Sequence, residues 1–157
     1  MPPLQPLQTL LEQARAERDQ ALAAHQRARS AAQSAETQAA QLAQYRRDYV
    51  QRFGGRFGRT GAVELLQCYQ GFMARLDDAV AQQAQMTRQA VAQSEAAEAA
   101  LLSAELRVAA VGKLIERRLA EAGQAAERRD QKATDEFASR AAWQRLAAAG
   151  PGAVGLV

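Results

Sequence analysis

The 157-residue chain has one cysteine, Cys68, and one histidine, His25. A single cysteine excludes an intramolecular disulfide and fits a reducing compartment. Cys68 reads as a tolerated surface thiol, because no base is placed to activate it. No Cys, His, Asp or Glu cluster has metal-ligand spacing, so no metal or cofactor is expected. Nothing assembles a catalytic constellation either, and the chain reads as a non-enzyme. Aromatics are 5% of residues, and Ile115 is the only isoleucine. With β-branched residues this scarce, no segment recommends itself as a strand. Proline is missing between Pro6 and Pro151. No apolar run approaches the ~20 residues of a membrane span. The N-terminus, MPPLQPLQTLL, lacks the basic and apolar regions of a signal peptide. A soluble, cytosolic protein without membrane insertion is expected.

Alanine and scattered charge fill the chain instead. Alanine is roughly a quarter of the residues, about three times ordinary usage. It favours helices and fills little volume. Charged residues are 24%, of both signs, with a net charge of +3. Nucleic-acid binders cluster Lys and Arg, and this chain does not, so no nucleic acid partner is expected.

Glycine breaks the chain in force once, at GGRFGRTG (54–61). That stretch has a faint likeness to a phosphate-binding loop. It has one residue too few between glycines, Arg59 where lysine is required, and no strand before it. It therefore reads as a turn, with Thr60 or Gly61 capping the next helix and Glu64 favouring its positive end. The predicted fold is all-α: one antiparallel coiled-coil hairpin over residues 1–149. Helix 1 covers about 4–53, the turn 54–61, helix 2 about 62–148, and a disordered tail 150–157.

The seam is visible as columns seven residues apart. In helix 1 one column holds Leu7, Ala14, Ala21, Ala28, Ala35, Leu42 and Tyr49; its neighbour runs from Leu4 through Arg18 and His25 to Phe53. In helix 2 one column runs from Leu66 through Met73, Thr87, Leu101 and Ile115 to Ala122, the other from Tyr69 through Leu76 and Gln83 to Val111. Alternating 4,3 spacing is the coiled-coil signature. His25 reads as a tolerated polar seam position or a register device, rather than a base or ligand. Large residues gather near the turn, which predicts the better-packed end there. Helix 2 is the longer, and from about Val111 it is expected to overhang without a partner. Phe137 and Trp143 lie far along that stretch. Phe72, Leu76, Ala79 and Gln83 also form a ridge at i, i+4, i+7, i+11. It reads either as a wide core stripe or as a docking face for another protein.

QLAQYRRDYV, YQGFMARLDDAV and the ending RRDQKATDEFASRAA make the chain resemble the flagellar export protein FliJ family, over nearly its whole length. The resemblance implies a small stalk-like coiled coil of the bacterial type III flagellar export apparatus, connected with motility and chemotaxis. Implied partners are the hexameric export ATPase FliI, the cytoplasmic linker of the export-gate protein FlhA, and export chaperones. Implied location is the cytoplasm, peripheral to the inner face of the membrane. By resemblance Phe72, Leu76, Ala79 and Gln83 form the gate-linker contact, the last position being commonly His in the family. Gln38, Leu42, Tyr45 and Tyr49 resemble the adjacent patch. The bare helix end, with Leu114, Arg118, Asp130, Lys132 and Phe137, is expected at the ATPase ring. The alternatives are a generic secretion chaperone or adaptor and a self-assembling structural coil.

Overall fold

The structure, a computed structural model, describes residues 4–54 and 63–150. Two helices account for nearly all of them: α1 (Gln5–Phe53) and α2 (Val63–Ala148), of 49 and 86 residues. Among the described residues there is no strand. The fold is the expected all-α hairpin, with α2 the longer helix. The turn with its Thr60 or Gly61 cap, and the tail beyond Gly150, lie outside the described residues.

Helix ends follow local chemistry. Pro6 stands in the first turn of α1, where a backbone N–H has no helical partner to lose. Gly54 closes α1 by donating its N–H to the Val50 carbonyl at 2.8 Å. A Cβ at residue 54 would lie 2.6 Å from that same oxygen, so only glycine closes the turn without moving backbone. Glu64 in the first turn of α2 and Arg145 in its last turn oppose the partial charges of the helix ends.

The chain divides into two compact units, Gln13–Val108 and Met1–Glu12 with Ala109–Val157. In the first, α1 and α2 run antiparallel. Glu17 meets Arg107 and Arg46 meets Asp77, so residues whose numbers rise along one helix meet falling numbers on the other. Every seam residue of that unit read from the sequence is covered at least in part, except Leu66. The buried core is thin: Ala14, Ala32, Leu76 and Ala104. Three of the four are alanine, so little apolar area is removed from water per turn and the helices must approach closely to remove it.

Polar groups fix the register where alanine cannot. The Ala35 carbonyl accepts from Gln83 Nε2 at 3.1 Å, and Thr87 Oγ1 stands 3.2 Å from it while lying closer, at 2.8 Å, to the Gln83 carbonyl of its own helix. Arg46 donates to Asp77 at 2.5 Å, and that bond, followed by the aspartate charge, holds its guanidinium above the ordinary value. A base raised this way contributes at every pH below its unfolded pKa and loses the contribution only as pH rises through the folded one. The pair therefore answers to salt rather than to ordinary changes of pH.

The second unit joins the start of α1 to the far part of α2. Val111 is buried here, and Leu114, Ile115, Leu4, Leu7 and Leu11 are half-buried. This corrects the expected start of the overhang. Val111 is core, because the first turns of α1 belong to the same compact unit. From Glu116 to Ala149 only Ala122, Ala125 and Ala141 are partly covered, so the free stretch of α2 begins at about Glu116. Gly112 and Gly123 lie inside this helix, and a Cβ at either would meet nothing within 4 Å. Glycine inside a helix costs about 1 kcal/mol relative to alanine. The Gly112→Ala/Gly123→Ala variant is therefore expected to gain about 1–2 kcal/mol in urea denaturation. A lowered midpoint would mean that bending at these glycines supports the fold.

Candidate docking surfaces

At the glycine-rich end of the first unit the rings form a cluster centred on Tyr49. Its ring lies 4.4 Å from Phe72, 4.7 Å from Phe53 and 6.4 Å from Tyr45, centre to centre. It stacks on Tyr69 at 5.7 Å with planes 7° apart. Heptad spacing puts Tyr49 and Phe53 on successive seam positions of α1, facing Tyr69 and Phe72 of α2. The aromatic side chains thus gather at the end where the sequence put them, Tyr49, Phe53, Tyr69 and Phe72 half-buried rather than core. Leu65 and Leu66 are more exposed than these four rings. The register that sets Tyr49 against Tyr69 and Phe72 carries them past Phe53, the last residue of α1.

The ridge divides into covered and open parts. Leu76 is 7% exposed and belongs to the core. Phe72 is half-buried against Tyr49, and Ala79 is half-buried. Gln83 is half-buried with its amide spent on Ala35, and at 3.4 Å on Gln38 Oε1. In the adjacent patch Leu42 and Tyr49 are half-buried and Gln38 is exposed. Tyr45 is 52% exposed. Met86 and Leu65, one heptad to either side of Ala79 and Phe72, are exposed. The surface a partner can reach is therefore a rim along the seam: Tyr45, Gln38 and Met86, with the edges of Phe72 and Ala79. A shallow depression lined by Tyr45, Asp48, Tyr49, Arg52 and Phe53 opens beside it.

The second surface is the free part of α2. Phe137 is 77% and Trp143 73% exposed, and Leu119 and Leu146 are exposed with them. Arg118, Asp130 and Lys132 are exposed too, whereas Leu114 is half-buried near the start of α1. Large apolar side chains this open on one helix are unusual, and Trp is the residue type most often found anchoring an interface. Leu146 escaped the sequence reading. Its spacing of three from Trp143 was the available signal.

Among the described residues no group of three or more His, Cys, Asp or Glu is placed to hold a metal ion, and no helix is long and apolar enough to cross a membrane. Cys68 is free and exposed. What the two surfaces offer is apolar contact area bordered by charge, the chemistry of protein–protein recognition. A family profile described as flagellar FliJ protein matches residues 4–147. No curated protein and no solved structure matches the chain.

Proposed function

The chain belongs to the flagellar FliJ protein family, a component of flagellar protein export, and from that premise we propose that it joins two partners of the export apparatus through two separate surfaces. The free part of α2, from Arg118 through Asp130 and Lys132 to Phe137 and Trp143, meets the hexameric export ATPase. The rim of Tyr45, Gln38 and Met86, with the edges of Phe72 and Ala79, meets the cytoplasmic linker of the export gate. Substrate-bound export chaperones are brought to the same assembly at the inner face of the membrane. The reading is carried by one observation: among the described residues Phe137 and Trp143 stand largely open on a long helix.

Physically, a single helix in a six-fold ring meets six equivalent walls with one asymmetric surface. It contacts some subunits more tightly than others and so biases which conformations they adopt. The energy available is the burial of Phe137, Trp143, Leu119 and Leu146, about 1.5–3 kcal/mol for each large side chain before the costs of association. Charges of both signs on the same stretch, Arg118, Asp130 and Lys132 among them, set orientation more than affinity.

Ending the chain after Arg118 keeps Val111, Leu114 and Ile115 with the start of α1 and removes only the free stretch. That truncation is expected to abolish stimulation of the export ATPase and to leave gate-linker binding unchanged. ATPase turnover and a linker pull-down read the two arms. Loss of both, or of neither, refutes the division into two surfaces.

A further inference from the structure

α2 carries a second run at coiled-coil spacing, out of step with the seam that faces α1. Glu95, Ala99, Leu102, Leu106, Ala109 and Lys113 follow one another at intervals of 4, 3, 4, 3 and 4 residues. This spacing places them on one face of a helix. All six are exposed, Leu102 at 57% and Leu106 at 63%, while the seam residues Leu101, Ala104 and Val108 between them are covered. Among the described residues neither Glu95 nor Lys113 enters an ion pair. The run is symmetric in size and antisymmetric in charge. Reversed end for end about the level of Ala104, it lays leucine on leucine, alanine on alanine and glutamate on lysine.

We infer that this face is a contact between two copies of the chain, antiparallel about a two-fold axis at the level of Ala104. Leu102 packs on Leu106 of the second copy, Ala99 on its Ala109, and Glu95 pairs with its Lys113. The two-fold repeats each contact, as an isologous interface requires. The alanines let the helices approach, and the four leucines supply the apolar core. The end charges select the direction: a parallel, in-register pair would set Glu95 on Glu95 and Lys113 on Lys113. The patch is small for a permanent dimer, which sets the expected dissociation constant on the order of 10–100 µM. The face shares no residue with the rim or with the free stretch beyond Glu116, so the inference does not depend on the proposed partners.

Sedimentation equilibrium of the full chain from about 5 to about 500 µM spans that affinity. The wild type is expected to pass from monomer to dimer. Leu102→Glu/Leu106→Glu is expected to weaken the dimer at least tenfold with helicity unchanged by circular dichroism, since both side chains are exposed. Glu95→Lys and Lys113→Glu each place like charges at both ends and are expected to dissociate. Mixing these two variants restores opposite charges at both ends and is expected to restore the dimer. A wild type that stays monomeric overturns the proposal, as does a dimer that survives Leu102→Glu/Leu106→Glu. A dimer abolished by Phe137→Ala/Trp143→Ala would mean that the free stretch pairs instead, and would overturn it too. A mixture that fails to restore the dimer overturns the antiparallel arrangement.

Discussion

Tyr49→Ala is expected to lower the stability of the fold by about 3 kcal/mol, the low end of the range for removing a core aromatic, because the ring is only half-buried. The loss is this large for a partly exposed residue because four rings share Tyr49. Phe53 and Phe72 lose a close neighbour, and Tyr69 loses its stacking surface. Aromatic pairs add about 0.5–1.5 kcal/mol each beyond burial of area. The surrounding core cannot compensate, since Ala14, Ala32 and Ala104 supply most of the rest of it. Urea denaturation with an unchanged m-value gives the difference directly. Tyr45→Ala is the control: it touches Tyr49 only at 6.4 Å and is exposed, so it is expected to cost less than about 1 kcal/mol. Equal losses for the two variants would show that Tyr49 is not the centre of the cluster.

Leu76→Ala is expected to cost about 2–4 kcal/mol, through lost burial and the cavity left between the helices. Its effect on gate-linker binding is expected to follow the folded fraction alone. Tyr45→Ala and Met86→Ala act on exposed side chains and are expected to weaken linker binding at least several-fold with little change in stability. Thermal melts and binding isotherms on the same preparations separate the two behaviours. If Leu76→Ala loses linker binding at a temperature where it is still folded, the seam must open to admit the linker, and the rim is then the wrong surface. Leu76 stands in both the seam column and the ridge, so the sequence pattern alone could not decide between them.

The seam was legible because a coiled coil repeats every seven residues, and that repeat is written in one dimension. The columns through Ala14, Ala32, Ala104 and Val111 identify buried positions even though three of those residues are alanines that any surface would tolerate. The free end was legible in kind but not in extent. A difference in helix length predicts an overhang, while its starting point depends on register. Register here shows in Gln83 donating to the Ala35 carbonyl, in the pairs Arg46–Asp77 and Glu17–Arg107, and in Tyr49 set against Tyr69 and Phe72. Each joins residues far apart in the chain, and a heptad count is blind to them. The run through Leu102 and Leu106 was equally readable as 4,3 spacing. The stronger seam beside it hid the run until exposure separated the two faces.

By itself, the sequence determined the two helices, the glycine-rich break between them, the antiparallel pairing and the aromatic end, because propensity, breakers and heptad spacing are local properties. The tertiary structure alone decided that Val111 is core, that Leu76 lies inside the seam while Tyr45 and Met86 form its rim, and that Leu65 and Leu66 are more exposed than the half-buried rings. Those outcomes turn on which residue of one helix meets which residue of the other. A shift of one heptad would keep the heptad columns facing each other, and the cross-helix ring contacts, hydrogen bond and ion pairs select among the shifts.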